Sequence, residues 1–77
     1  THIVVIPKRH ISSFLTLESS DDGLVIEMLA VIRQVANTVV SDRGAARILT
    51  NLGDYQESKH LHFHIYSGDR VRPDNPI

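Results

Sequence analysis

The strongest constraint on the fold is a strict alternation of polar and apolar residues near the end of the chain. The segment HLHFHI, residues 60–65, has histidines at every even-numbered position and apolar residues between them. Successive side chains of a β-strand point to opposite faces, so this pattern predicts a strand with its histidines on one face and core residues on the other. We predict that strand over residues 59–67.

The remainder of the sequence predicts two further strands and one long helix. Residues 2–7, HIVVIP, are β-branched and apolar at both parities, which predicts a strand buried on both faces. We predict a helix over 21–43, a strand over 46–51 and an irregular tail over 68–77. The order strand, helix, strand, strand predicts one α+β domain built on an antiparallel sheet.

The helix has clear signals at both ends. Asp21 is an acceptable N-cap residue, and Gly44 can adopt the left-handed conformation that ends many helices. Apolar residues recur at steps of three and four: Val25, Met28, Leu29, Ile32, Val35, Ala36 and Val39. Leu24, Val31 and Val40 make this stripe wider than one sheet face requires, which favours a second subunit packed on the helix.

Composition excludes several classes of function. The 77 residues have a net charge of −1 and no block of like charges, which argues against binding to nucleic acid. No apolar run approaches the roughly 20 residues that span a bilayer, so we expect no membrane segment. The chain contains no cysteine, which fits a reducing setting, and we expect a cytoplasmic protein.

Three hypotheses account for a row of histidines on one strand face. The first is a solvated face, although lysine, threonine or glutamate would be commoner there. Two histidines would bind Zn²⁺ with a third donor from His2, His10 or Asp54, but the outer two lie about 13 Å apart along a strand. The third hypothesis is nucleophilic attack on phosphorus by a central imidazole, whose neighbours fix its tautomer and stabilise charge on the phosphoryl oxygens.

The histidine segment resembles the His-x-His-x-His signature of the histidine triad family of nucleotide hydrolases and transferases. Residues 2–12, HIVVIPKRHIS, resemble the strand and Pro-Lys-x-His-Ile segment of that family. Asn51 and Gln56 match the Asn and Gln upstream of the family's histidines. The helix between these segments is also in the corresponding place, so the resemblance covers about residues 1–68.

The resemblance implies a role for each histidine of the triad. The middle histidine, His62, would be the nucleophile and would form a nucleotidyl-imidazole intermediate that water or another acceptor then attacks. The backbone carbonyl of His60 would hold the other ring nitrogen of the nucleophile. His64 would help to position the phosphate. No cofactor is required for this mechanism.

The resemblance also implies substrate contacts outside the triad. Asn51 and Gln56 match positions that contact the phosphate, and His2 matches a histidine near the active site. From the residues alone, Asn51 would equally well end a strand and Gln56 would be an exposed loop residue. His10 matches the histidine after Pro-Lys, and we interpret it as structural.

The sequence departs from the family pattern in two places. After Gln, the family commonly has Ser or Thr facing the leaving group, whereas this chain has Glu57 and then Ser58. We therefore expect either that Glu57 points away from the phosphate or that Ser58 takes over the contact through a shifted loop. In the family, a helix and a β-hairpin that supply most of the apolar base pocket normally precede the segment that starts here at Thr1, and we expect this chain to lack both. We therefore expect weak and poorly selective binding or a vestigial site, or, in a fragment, the function of the full family.

The leading hypothesis is a nucleotide phosphoramidase or related nucleotidyl hydrolase that acts through His62. The alternatives are a non-catalytic protein that binds nucleotide or phosphate, and a zinc-binding histidine cluster. We expect a homodimer that pairs through the helix, since the apolar stripe and the resemblance both favour one. The expected interface residues are Val25, Leu29, Ile32 and Ala36.

Overall fold

The computed structural model describes residues 1–68, so the predicted tail lies, from residue 69 onward, outside the described residues. The predicted α+β class and the order strand, helix, strand, strand are confirmed. The elements are β1 (His2–Val5), α1 (Asp22–Arg43), β2 (Arg47–Leu49) and β3 (Phe63–Tyr66). Single 3₁₀ turns cover Phe14–Thr16, Ser19–Asp21 and Gly53–Tyr55.

The three strands form an antiparallel sheet in the order β1-β3-β2. The last strand in the sequence, β3, is therefore central and has a neighbour on each side. Ile65 is level with Ile3 of β1 and Ile48 of β2. On the opposite face of the sheet, His64 is level with Val4 and Leu49.

The core lies between α1 and the sheet face that carries Ile65. Leu61 and Ile65 are 1% and 0% exposed, which confirms that the odd-numbered residues around the histidines point inward. The buried apolar side chains are Ile11, Met28, Ile32, Val39, Leu61 and Ile65. β3 and the segment that leads into it contribute the two fully buried side chains, Ile65 and Leu61, and the alternating histidines point away from the core.

The prediction that β1 is buried on both faces is wrong for the described residues. Ile3 and Val5 are partly buried against the core, but Val4 is 43% exposed and His2 is also exposed. The β-branched run is apolar at both parities, yet α1 covers only one face of the sheet. The other face is the one that carries His64.

The helix begins and ends close to the predicted residues. Gly44 follows α1 with φ of +88°, and its N–H donates to the carbonyl of Val40 at 2.7 Å. Asp21 is the N-cap residue, but its side chain does not cap α1. One carboxylate oxygen of Asp21 pairs with Arg9, and the other accepts from the N–H of Glu18 at 2.9 Å.

The apolar stripe of α1 is divided between the core and the surface. Ile32, one of the four expected interface residues, is instead buried in the chain's own core, because it faces the sheet together with Met28 and Val39. Val25 and Ala36 are partly buried, and Leu29 is exposed. The large apolar side chains of α1 that remain exposed are Ile26, Leu29, Val31 and Val40.

One segment of the described residues, Ser19–Arg43, is long and apolar enough to cross a bilayer by length and composition alone, since its most apolar 18 residues have a mean hydropathy of 1.5. Glu27 and Arg33 interrupt its apolar residues, so the expectation of no membrane segment stays a prediction. The core helix of a soluble protein passes the same test, and α1 contributes three of its side chains to the core. A single helix of this kind is weak support for a membrane span.

Candidate active site

The sheet ladder includes only the last of the three alternating histidines. β3 begins at Phe63, so the predicted strand over 59–67 is too long at its N-terminal end. The chain bends over residues 58–60, which takes His60 out of line with the strand. His62 lies one residue before β3, between the bend and the ladder, and is half-buried.

The ring of His62 is held by the main chain two residues earlier. Its Nδ1 lies 2.7 Å from the backbone oxygen of His60. A carbonyl oxygen can only accept a hydrogen bond, so His62 carries its proton on Nδ1 and donates it. In this tautomer Nε2 has the lone pair that a nucleophile or a base requires.

The ring of His60 is turned towards the loop that follows β1. Its Nε2 lies 3.2 Å from the carbonyl oxygen of Pro7 and donates to it. The ring centroid of His10 is 4.8 Å from that of His60. His60 thus offers its backbone to His62 and uses its side chain to attach the Pro7–His10 loop to the site.

Four rings lie close together on the sheet face opposite the core. Nε2 of His2 and Nδ1 of His64 are 2.8 Å apart, so one ring donates to the other. The His62 and His64 rings meet edge to face, with centroids 4.8 Å apart. Tyr66 stacks on His64 and lies 4.5 Å from the ring of His2. The structure therefore brings His2 beside His64, which is 62 residues away in sequence.

Tyr66 was not recognised from the sequence as a member of this cluster. Like the three histidines, Tyr66 has an even number, so the alternation that predicts one face for the histidines also predicts it for Tyr66. The register that sets His2 level with Tyr66 has no comparable signal in the sequence.

Gln56 is buried and joins two loops, so it is not the exposed loop residue that its surroundings in the sequence suggested. It is 5% exposed, and its side-chain amide donates to the carbonyl of Ser12 at 2.6 Å. The amide group has two N–H bonds, and this contact uses one of them. Gln56 also accepts at its backbone carbonyl from the Lys59 ammonium at 2.9 Å.

Asn51 lies opposite His62 if the β2–β3 register is continued. Leu49 is level with His64, and two further residues along each strand bring Asn51 level with His62. Asn51 is half-buried at this position. Thr50, beside it, donates its hydroxyl to the backbone oxygen of His62 at 2.7 Å, a contact that sequence patterns did not signal.

Glu57 and Ser58 are both exposed, on the segment between Gln56 and the triad. Ser58 is the first residue of the bend that leads into His60. Residues 57–59 therefore form an exposed loop that leads into the triad, which we call the entry loop. The buried side chain of Gln56 anchors its start.

No group of three or more His, Asp or Glu side chains within residues 1–68 is arranged to hold a metal ion. The zinc hypothesis therefore gains no support from the described part of the chain. The facing ring nitrogens of His2 and His64 form a hydrogen bond with each other, so they are not arranged around a common metal ion.

In a histidine triad protein, the His-x-His-x-His segment leads into the central strand of a small antiparallel sheet, and this chain has the same arrangement. The family model for the scavenger mRNA decapping enzyme C-term binding family matches residues 1–73 of this chain. The chain belongs to this histidine triad family.

Curated relatives agree with this assignment. An uncharacterized HIT-like protein of Helicobacter pylori is 37% identical over 75 residues, which is 90% of this chain and 65% of the relative. HIT-like proteins of Chlamydia muridarum and Azospirillum brasilense are 31% and 33% identical, over 87% and 95% of this chain. The chain spans 54% of the Chlamydia protein and 62% of the Azospirillum protein.

Proposed function

We propose that the protein hydrolyses nucleoside phosphoramidates or related nucleoside phosphates through a covalent intermediate on His62. The observation that carries this proposal is the 2.7 Å contact between His62 Nδ1 and the His60 carbonyl. It holds the imidazole in the tautomer whose Nε2 can attack phosphorus. The hypothesis of a solvated strand face without function does not explain why the ring is held in this way.

The proposed reaction has two displacements at phosphorus. Nε2 of His62 attacks the phosphorus, a nucleotidyl–nitrogen bond forms, and the phosphorus–nitrogen bond to the amine breaks. The amine leaves with the bonding electron pair and takes up a proton. Water then attacks the same phosphorus, the bond to His62 breaks, the nucleoside monophosphate leaves, and a proton passes to the medium.

The phosphoryl oxygens would be bound by groups around His62. We assign this role to His64, to Asn51, which lies two residues beyond the last paired residue of β2, and to the second N–H of Gln56. His2 would support His64 through their ring contact. Ser58 would approach the leaving group from the entry loop, with Glu57 turned to solvent.

The test is release of AMP from an adenosine phosphoramidate, with His62→Ala as the matched variant. The proposal predicts turnover by the wild type and background rates for the variant. The name of the matched family refers to mRNA decapping, so a cap dinucleotide belongs in the same assay as a second substrate. A folded wild type that releases a nucleoside monophosphate from neither substrate contradicts the proposal.

A second candidate is a protein that binds nucleotide or phosphate without turnover. The exposed carboxylate of Glu57 in the entry loop favours it, because it stands where the resemblance implies a hydroxyl and would repel a phosphate that came close. AMP binding measured by calorimetry, combined with the absence of AMP release, distinguishes this candidate from the enzyme.

We also propose that two copies of the chain pair through α1 and β2. Leu24, Met28 and Val31 lie on the flank of α1 beside β1, as the groove that they line with Val5 and Ile6 indicates. The opposite flank, with the exposed Leu29 and Val40, therefore lies on the side of β2. Ile48 of β2 shares a sheet face with Ile65 and is 49% exposed, so it extends this apolar surface.

A further inference from the structure

The segment over residues 60–62 carries two of the three triad histidines but lies outside the sheet ladder. The pairing of β1 with β3 reaches no further than Phe63, and that of β2 with β3 stops where Leu49 meets His64. Ladder hydrogen bonds therefore do not account for the position of the main chain at His62. Other donors and acceptors must fix it.

Two hydrogen bonds from neighbouring loops hold the main chain of this segment, one on each side. The N–H of Leu61 donates to the carbonyl of Ile11 at 2.6 Å. The hydroxyl of Thr50 donates to the carbonyl of His62 at 2.7 Å, in partly buried surroundings. Both bonds are short, and the second acts on the residue that bears the nucleophilic ring.

We infer that Thr50 is a positioning residue for His62, an inference that rests on the proposed function. Thr50 directly follows β2, and its hydroxyl acts where a longer β2 would supply a backbone N–H. By holding the carbonyl of His62, it limits movement of the Cα atom from which the imidazole extends. The Nδ1 contact with His60 then keeps its length, and Nε2 keeps its direction of attack.

The hydroxyl of Thr50, rather than its volume, is the group that this inference requires. Valine has nearly the same shape as threonine but cannot donate, so Thr50→Val leaves a partly buried carbonyl without this donor. Serine keeps the donor and loses one methyl group. Displacement of a reacting group by about 1 Å can lower a rate by on the order of 100-fold, so a small shift of the main chain is measurable.

The experiment compares Thr50→Val and Thr50→Ser with the wild type and with a control, Thr38→Val. The hydroxyl of Thr38 also donates to a backbone carbonyl, that of Gln34 at 3.2 Å, but on an exposed turn of α1. The first readout is the ¹⁵N NMR spectrum of the His62 imidazole, which reports which ring nitrogen carries the proton. The second is the kcat and KM for AMP release.

The inference predicts that Thr50→Val shifts His62 away from the Nδ1-protonated tautomer and lowers kcat about tenfold with little change in KM. Thr50→Ser and Thr38→Val should resemble the wild type in both readouts. A His62 spectrum that is unchanged in folded Thr50→Val overturns the inference, whatever the activity. If Thr50→Val does not fold, Thr50→Ala is assessed in the same way, because it also removes the donor and introduces no clash.

The two readouts separate this inference from the proposed function. Absence of AMP release by the wild type contradicts the proposed function, while the tautomer measurement still decides whether Thr50 positions the ring. Turnover by the wild type combined with an unchanged spectrum in Thr50→Val leaves the proposed function standing and removes Thr50 from it.

Discussion

At the scale of single residues, the first two histidines of the triad have different tasks despite their identical side chains. His62 is held through its ring, and His60 holds that ring through its backbone carbonyl. The ring of His60 contacts Pro7, on the loop after β1. Substitution of His60 therefore removes an anchor of the loop but leaves in place the carbonyl that orients His62.

We predict that His60→Ala lowers the rate of AMP release about tenfold, whereas His62→Ala reduces it to background. The control is His10→Ala, which removes the ring beside His60 and should leave the rate within about twofold of the wild type. Rates measured at saturating substrate decide between these outcomes. Equal losses for His60→Ala and His62→Ala would mean that the ring of His60 takes part in the chemistry.

Gln56 should matter for stability as well as for binding. Its amide is the buried link to Ser12, so we predict that Gln56→Ala lowers the free energy of unfolding by about 1–3 kcal/mol. The neighbouring Glu57→Ala, at an exposed position, should change it by less than about 0.5 kcal/mol. Urea denaturation measures both. A fully stable Gln56→Ala variant would show that the link to Ser12 does not support the fold.

At the scale of elements, the sequence predicted α1 well and β3 less well, for physical reasons. Asp21 and Gly44 are local signals, and they bounded the helix to within one residue. The alternation around His62 correctly predicted which side chains are buried, but it could not show that the chain bends over residues 58–60. His60, the last residue of that bend, donates from its ring to the carbonyl of Pro7, which is distant in sequence.

The cluster around His62 was only partly predictable for the same reason. Parity alone places His64 and Tyr66 on one face. The approach of His2 depends on the register between β1 and β3, and the bond from Thr50 depends on where β2 ends. Neither quantity is determined by a short sequence pattern.

Substitution by alanine should have opposite effects on the free energy of unfolding at two glycines in and beside α1. Gly44 ends α1 with φ of +88°, so Gly44→Ala should lower the free energy of unfolding by about 1 kcal/mol. Gly23 lies in the first turn of α1 with open space where a Cβ would stand, so Gly23→Ala should raise it by about 0.5 kcal/mol. Thermal unfolding followed by circular dichroism tests both. Loss of stability in Gly23→Ala would contradict this account of α1.

At the scale of the whole molecule, one three-stranded sheet and one helix leave much apolar surface uncovered. Leu29 is 55% exposed on one flank of α1, and Val31 is 45% exposed on the other. Residues that are two positions apart in a helix are separated by about 200° around its axis, so these side chains point in nearly opposite directions. They form a matched pair with which to locate the proposed dimer interface.

We predict that Leu29→Lys yields a monomer and that Val31→Lys remains a dimer, as judged by analytical ultracentrifugation. A lysine in the middle of an apolar interface carries an unpaired charge into the contact, which is strongly unfavourable. A monomeric wild type contradicts the proposed dimer. Dissociation by Val31→Lys alone would place the interface on the flank beside β1.

The central claim is that His62 becomes covalently linked to the nucleotide. The most direct measurement is intact-protein mass spectrometry after rapid quenching of the wild type with an adenosine phosphoramidate, followed by peptide mapping under conditions that preserve phosphorus–nitrogen bonds. The account predicts an added adenylyl group on the peptide that contains His62, absent from His62→Ala. AMP release with adenylation of a different residue, or with the same release in His62→Ala, would contradict it.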